Sequence, residues 1–133
     1  NSLKLEISMS FDNYKFVLKT CASSENEVTG EDIDLEDRFE CDLKGVNLKE
    51  GVRLFSPRKE EWKQKQYGIE KTIYPDFNFK VLEVHQDGVV LETSFQYSSY
   101  SSHFKISFAE PEHRETFWFG RYSYSYILTF EKR

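Results

Sequence analysis

FNFKVLEVHQDGVVLETSF, residues 77 to 95, is the stretch of sequence that decides the fold. Two runs rich in Val, Leu and Phe flank Asp87-Gly88, and an Asp-Gly pair between such runs is a strong signal for a β-hairpin. Apolar and polar residues largely alternate within each run, as expected for strands with one buried and one solvated face. The stretch therefore predicts a fold that is built on antiparallel strands.

The register of this hairpin depends on the length of its loop. A two-residue loop at Asp87-Gly88 places Glu83 opposite Glu92, and like charges that face each other destabilise a strand pair. A four-residue loop, from His85 to Gly88, avoids this repulsion because Glu83 then faces Val90. We therefore expect the longer loop, in which apolar residues face each other in two pairs: Val84 with Val89, and Leu82 with Leu91.

Alternation of apolar and polar residues continues in other parts of the chain and predicts further half-buried strands. The clearest segments are residues 3–11, 14–18, 39–43, 103–109 and 122–130. Asp12-Asn13 is typical of a turn, so the first two segments are expected to form a second hairpin. Gly120 predicts a bulge or a bend just before the last strand.

One helix is predicted, from about Pro57 to Tyr67. Ser56 is a favoured N-cap residue, and proline is favoured at the first helical position. Gly68 is suited to end the helix, since glycine readily adopts the left-handed conformation that follows a last helical turn. Trp62 is the expected apolar anchor of this helix on the sheet.

Together these segments predict an all-β or β-rich α+β fold. The expected architecture is an antiparallel β-sandwich or barrel of about 8–10 short strands with one short helix. The chain has 133 residues, which is the usual size of one domain. We therefore expect a single β-rich domain over residues 1–133.

The composition excludes some classes of partner. The net charge is −5, from 23 acidic and 18 basic residues, which argues against nonspecific binding to nucleic acid. No apolar run approaches the ~20 residues that cross a bilayer, so no membrane span is expected. A cytoplasmic location is slightly favoured, but the chain begins at Asn1 rather than Met, so an exported form stays open.

The two cysteines, Cys21 and Cys41, are too few for a disulfide framework, and their spacing matches no metal motif. Two buried thiols are the expected state, since free cysteine behaves as a small apolar side chain. A single bridge remains an alternative if the fold brings the two residues together.

An acidic segment is the first candidate binding site. Residues 25–42 contain nine acidic residues and one basic residue. Periodicity is absent from Ser23 to Asp37, which predicts a long exposed loop. A plain charged loop and a cation site are the alternatives, but the spacing lacks the features of an EF-hand loop, so no metal is assigned. A basic protein partner would complement this charge, and its candidate contacts are Glu31, Asp32, Asp34, Glu36 and Asp37.

An aromatic stripe is the second candidate. The residues that form it, with a neighbouring tryptophan, are Trp118, Tyr122, Tyr124 and Tyr126, and Tyr97 and Tyr100 are expected to lie near it. Exposed rings of this kind would suit stacking on a sugar or binding to another protein. The alternative is that the tyrosine rings fill the core, which is favoured because Leu128 and Phe130 continue the same strand face.

An enzyme would need a constellation of reactive groups. Glu83, His85 and Glu92 share one face of the central hairpin and could perform acid–base chemistry or hold a metal. A solvated outer face with ordinary charges is the more frequent meaning of such a pattern. No Gly-x-Ser-x-Gly motif and no glycine-rich phosphate loop occurs in the sequence. The sequence leans away from an enzyme, and no catalytic residue or cofactor is assigned.

The sequence therefore favours a non-catalytic binding domain. Protein–protein interaction is the leading hypothesis, and an acidic inhibitor or an immunity-type protein would be one form of it. The alternative is a carbohydrate-binding module that uses the Tyr/Trp face. A metal-dependent or acid–base enzyme is the third hypothesis.

Overall fold

The computed structural model describes residues 11–25, 30, 32–55, 62–66, 68–73 and 75–133. All the secondary-structure elements within these residues are β-strands, and none of them is a helix. The strands are β1 (Tyr14–Glu25), β2 (Asp32–Asp42), β3 (Arg53–Leu54), β4 (Trp62–Gln66), β5 (Ile69–Ile73), β6 (Phe77–His85), β7 (Gly88–Phe95), β8 (Ser101–Ser107), β9 (Glu112–Phe119) and β10 (Tyr122–Lys132).

The strands form two four-stranded antiparallel sheets and one separate hairpin. The first sheet has the order β2-β1-β10-β9, the second has the order β3-β6-β7-β8, and β4 pairs with β5. The sheets pack as a β-sandwich, since the buried residues of both belong to one shared cluster. Over the described ranges each sheet keeps two edge strands, so the expected fold is confirmed as a sandwich and not as a barrel.

Aromatic rings make up much of the core between the two sheets. Tyr126 of β10 is only 1% exposed. Its ring centroid lies 4.8 Å from that of Phe77 and 5.1 Å from that of Phe79, both in the facing sheet. Further along, Phe95 of β7 stacks on Phe117 of β9 with the centroids 5.5 Å apart. Tilted, edge-on and offset contacts of this kind add to the hydrophobic gain of burying large rings.

The central hairpin has the expected register near its turn. Strand pairing continues to His85 and Gly88, so the loop consists of two residues, Gln86-Asp87, rather than the four that we expected. The two pairs next to it are the expected ones: Val84 with Val89, and Glu83 with Val90.

Further from the turn, a β-bulge changes the register. The bulge lies between Val81 and Glu83, and it places Val81 rather than Leu82 opposite Leu91. The expected Leu82–Leu91 pair is therefore wrong. Val81 is fully buried, and Val84 also packs against the core. Residues 81 and 84 can share one face of a strand only if an extra residue is inserted between them, which is what the bulge provides.

The glycine of the Asp-Gly pair has a different role from the one expected in a turn. Gly88 is absent from the glycines with positive φ, and it is the first residue of β7. A Cβ atom at this position would lie 2.3 Å from the carbonyl oxygen of Ile106 and 2.7 Å from the Cα atom of Ser107. Gly88 is therefore needed because β8 approaches the backbone closely.

The predicted helix is wrong where the structure describes it. Residues Trp62–Gln66 form β4, which pairs antiparallel with β5, and Gly68 lies between the two strands with a φ of 78°. Pairing with an adjacent strand satisfies the same backbone groups without the costly nucleus of a short helix. Residues 56–61 and 67, and the side chain of Trp62, lie outside what the structure describes.

The long acidic loop is also wrong over most of its predicted length. β1 extends to Glu25 and β2 begins at Asp32, and the ladder between them is continuous up to that last pair. The strand needs no apolar periodicity here, because the backbone of β1 supplies its hydrogen bonds. Charged side chains are common on edge strands such as β2, since they discourage pairing with another chain.

The predicted strand at residues 3–11 lies outside the described residues, except for Phe11, which is buried. β1 has β10 on one edge and β2 on the other. Cys21 and Cys41 are not bridged. The register between β1 and β2 places the two cysteines on opposite faces of the first sheet.

We expect Gly88→Ala to lower the free energy of unfolding by about 3 kcal/mol, because the new methyl group forces β7 and β8 apart. Urea unfolding followed by circular dichroism measures this change. Gly120→Asn is the matched control, since Gly120 has open space around it and a φ of 61° that asparagine tolerates. Equal stability of the Gly88→Ala variant and the wild type would contradict the close approach.

Candidate functional site

Exposed aromatic side chains gather at one end of the sandwich. The strands β1, β2 and β10 have 11 or 12 residues, while β6, β7 and β8 have seven to nine. Among the described residues, the first sheet therefore extends past the last ring pair of the second sheet, Phe77 and Phe95, and the inner-face rings of Phe119 and Tyr122 beyond that pair are exposed. We call this region the aromatic end and define it by five residues with these exposed fractions: Tyr97 47%, Tyr100 53%, Trp118 74%, Phe119 54% and Tyr122 51%.

Ring contacts connect this region to the core. The Tyr97 centroid lies 5.4 Å from that of Tyr124, and the Tyr124 centroid lies 6.5 Å from that of Tyr122. Phe119 is paired with Tyr122 in the ladder between β9 and β10. Single exposed rings are ordinary on protein surfaces, whereas large contiguous apolar patches are typical of interaction sites.

The predicted tyrosine stripe runs from solvent into the core. Tyr122 is exposed, Tyr124 is half-buried and Tyr126 is buried, so the two alternative interpretations apply to different rings of the same strand. Trp118 pairs with Ser123, which points it to the outer face of the sheet. The structure thus brings the three tyrosines together and places Trp118 on the opposite side of the first sheet.

A cavity of about 390 Å³ opens at the aromatic end, between β9 and the segment that links β7 to β8. The ring of Tyr100 meets that of Phe117 in an edge-on arrangement with the centroids 5.1 Å apart. The described residues that line the cavity are Phe95, Ser98, Tyr100, Glu115, Thr116, Phe117 and Trp118. The cavity therefore has aromatic walls and one carboxylate.

That carboxylate is held in place by hydrogen bonds. The side chain of Glu115 is 17% exposed, and its Oε1 atom accepts a hydrogen bond of 2.6 Å from the hydroxyl of Ser102. The hydroxyl of Tyr126 donates to Oε2, and Nε2 of His113 lies 3.3 Å from the same atom. The two hydroxyl donors compensate the cost of removing a carboxylate from water, whereas Nε2 of His113 makes no hydrogen bond, so Ser102 and Tyr126 define the position of Glu115 at the cavity.

The hydrogen bond also affects the phenol that donates it. The pKa of Tyr126 is raised well above its usual range, chiefly because burial disfavours the phenolate and also because Glu115 accepts its proton in a hydrogen bond. The phenol therefore remains a donor to Glu115 over the physiological pH range.

Sequence reasoning missed Glu115 as a site residue, and it placed Tyr97 and Tyr100 near the tyrosine stripe without assigning them to the site. One signal was present: His113, Glu115 and Phe117 alternate on β9, so a carboxylate occurs on a strand face that also carries an apolar ring. Tyr97 and Tyr100 belong to a serine-rich link that shows no periodicity. Their position beside β9 depends on the packing of the two sheets.

The predicted acidic contacts are distributed over both faces of β2. Asp34 and Glu36 are exposed, and Asp37 is half-buried on the inner side. Asp34 lies in the same cross-sheet row as Trp118, with Ser23 and Ser123 between them. Glu31 and the side chain of Asp32 lie outside the described residues.

A second cavity, of about 480 Å³, lies on the outer face of the first sheet and includes Cys21 and Glu36. The pKa of the Cys21 thiol is raised, mainly by burial and further by the charges of Asp34 and Glu36. A raised pKa keeps the thiol protonated at neutral pH, so Cys21 is a poor nucleophile.

The hypothetical catalytic group does not assemble into one site. Nε2 of His85 lies 3.0 Å from a carboxylate oxygen of Glu83, while Glu92 pairs with His103 at 2.9 Å. The two pairs are separate and exposed to solvent. Across the described ranges, no group of three or more His, Cys, Asp or Glu side chains is placed to hold a metal ion.

We expect the buried Tyr126 phenol to make stability decrease at alkaline pH. Its pKa is raised in the folded protein, so above about pH 10 the unfolded chain loses this proton first and unfolding becomes more favourable. Below that pH the stabilisation is fully present. The free energy of unfolding of the wild type should fall more steeply than that of Tyr126→Phe, by up to about 1.4 kcal/mol per pH unit.

Urea unfolding between about pH 8 and pH 11 measures this difference in slope. Tyr122→Phe is the matched control, because Tyr122 is an exposed tyrosine of the same strand, and its curve should follow that of the wild type. Parallel curves for Tyr126→Phe and the wild type would show that the buried phenol has no part in the alkaline loss of stability.

Comparisons with protein-family models, with curated proteins and with solved structures gave no match for this chain. In the part of the chain that the structure describes, no helix has the length and apolar character to span a membrane. Function therefore has to be argued from the geometry of the aromatic end and its charges.

Proposed function

We propose that this chain is a non-catalytic domain that binds a protein partner through the aromatic end. The observation that carries this proposal is the group of five rings that stay 47–74% exposed at one end of the sandwich. Tyrosine, tryptophan and phenylalanine are enriched in protein interfaces, since each buries a large area while few rotatable bonds are immobilised.

The charge of the chain indicates a basic partner. The net charge is −5, and Asp34 is exposed in the same row of the sheet as Trp118. Acidic groups at the rim of an apolar patch attract a basic surface and speed the encounter, while the rings supply most of the affinity. An inhibitor of a basic protein is one form that this function would take.

Affinity capture on immobilised protein tests the proposal. A lysate of the source organism is passed over the wild type, over a Trp118→Ala/Tyr122→Ala variant and over Phe108→Leu, and bound protein is eluted with a salt gradient. Phe108→Leu is the matched control, because Phe108 is a partly exposed ring that packs on Tyr14 at the opposite end.

The expected result is a basic protein that the wild type and Phe108→Leu both retain. Retention should fall at least about tenfold when both rings are removed, because the variant truncates one large exposed ring on each face of this end of the sheet and large aromatic side chains carry much of the binding energy of interfaces. Elution at moderate salt would support the electrostatic part of the proposal. Equal retention by the double variant would contradict binding at the aromatic end.

Carbohydrate binding is the second candidate, and the position of Trp118 favours it. The ring is 74% exposed and shares the outer-face row with Ser123 and Ser23, so a flat aromatic surface adjoins hydroxyl groups. Sugars stack on such rings and bind such hydroxyls. Retention on a glycan panel that is lost in Trp118→Ala, but kept in Tyr122→Ala, would support this function instead, because Tyr122 lies on the other face.

A further inference from the structure

We infer that the cavity at the aromatic end binds the side chain of a lysine that the basic partner presents. This inference rests on the proposed function and deepens it, since it names the group that is recognised and the residues that recognise it. The walls of the cavity and its carboxylate point to an alkylammonium group, and the volume of the cavity leaves room for one.

The walls offer aromatic surfaces to a cation. Tyr100 and Phe117 stand nearly edge-on to each other, with an angle of 65° between the rings, while Phe117 is stacked on Phe95. Trp118 also lines the opening. Because Phe117 and Phe95 cover each other's faces, the exposed rings of Tyr100 and Trp118 are the ones that can present a face to a guest. The negative face of an aromatic ring attracts an ammonium group within about 6 Å.

The carboxylate adds a fixed negative charge. Glu115 is the one charged residue among the described lining residues, and none of them is basic. The hydroxyls of Ser102 and Tyr126 hold its two oxygens. A carboxylate has about four acceptor sites, so these bonds leave capacity for a further donor. This arrangement favours a cation over an anion or a neutral group.

The cavity is large enough to admit one side chain. A cavity of about 390 Å³ lies near the lower limit for small-molecule sites. The butyl stem of lysine would pack along the rings while the ammonium group reaches Glu115. The cavity opens beside the most exposed rings of the aromatic end, where a docked protein would present its side chains.

A titration with small probes tests the site directly. The probes are N-acetyl-lysine-N-methylamide and N-acetyl-norleucine-N-methylamide, which has the same butyl stem without the ammonium group. Binding is followed by NMR through the indole Nε1–H signal of Trp118. The chain has two tryptophans, and the signal is assigned by its loss in Trp118→Ala. The lysine probe should bind at least about tenfold more tightly than the norleucine probe.

Three variants locate the interaction. Tyr100→Ala should weaken binding of the lysine probe about tenfold because it removes one aromatic wall. Glu115→Gln should weaken it to a similar degree while it preserves the shape of the side chain. Phe108→Leu is the matched control: Phe108 is a partly exposed ring at the opposite end of the sandwich and is not among the residues lining the cavity, so binding should be unchanged. If Glu115→Gln fails to fold, the affinity of Tyr100→Ala for the lysine probe still tests the inference, because Tyr100 is exposed.

Equal affinity for the two probes, or full affinity in folded Tyr100→Ala, would overturn the inference. The capture experiment separates this result from a failure of the proposed function. A partner that is lost in Trp118→Ala/Tyr122→Ala but retained in Tyr100→Ala and Glu115→Gln would overturn the lysine site and leave protein binding intact. Selective lysine binding without any captured protein would support the site and count against the proposed function.

Discussion

The hydrogen bond from the Tyr126 hydroxyl to the Glu115 carboxylate joins the core of the sandwich to the cavity at its aromatic end. The ring of Tyr126 is packed against Phe77 and Phe79 of the facing sheet, so the hydroxyl has a position that the core determines. A carboxylate on an inner strand face would be costly without such donors. With them, β9 carries a charge at the margin of an apolar core, and that charge is available to a ligand.

The aromatic end is a consequence of unequal strand lengths. The inner face of the first sheet continues beyond the rings of Phe77 and Phe95, which are the last that the second sheet contributes. Tyr122 and Phe119 lie past this limit and stay exposed, while Tyr126 on the same strand is buried. The alternating pattern of β10 thus supplies a buried ring at Tyr126 and an exposed ring at Tyr122, because Tyr122 lies beyond the last rings of the second sheet.

Some features of the fold could be predicted from the local sequence pattern, and others could not. Alternation along residues 122–130 predicted β10, and the charge of Glu83 excluded a register that the structure also lacks. The bulge beside Leu82 had no local signal, because an extra residue in a strand is stabilised by what faces it across the core. The segment after Ser56 carried good helix signals, yet its described part pairs as β4, since a neighbouring strand outweighs weak intrinsic propensity. The described part of the acidic stretch forms β2 for the same reason, because its backbone makes hydrogen bonds with the neighbouring strand β1.

The sequence by itself determined that the protein is built from antiparallel strands around an aromatic core, because a period of two and the preference of rings for pleated surfaces are local properties. It also determined the acidic net charge of −5, on which the proposal of a basic partner rests. Only the tertiary structure decided which rings are buried, which face Trp118 occupies and which groups surround Glu115. Those outcomes depend on contacts between strands far apart in the chain, such as Ser102 and Tyr126 on either side of one carboxylate. Local spacing carries no information about such contacts until the two sheets have packed together.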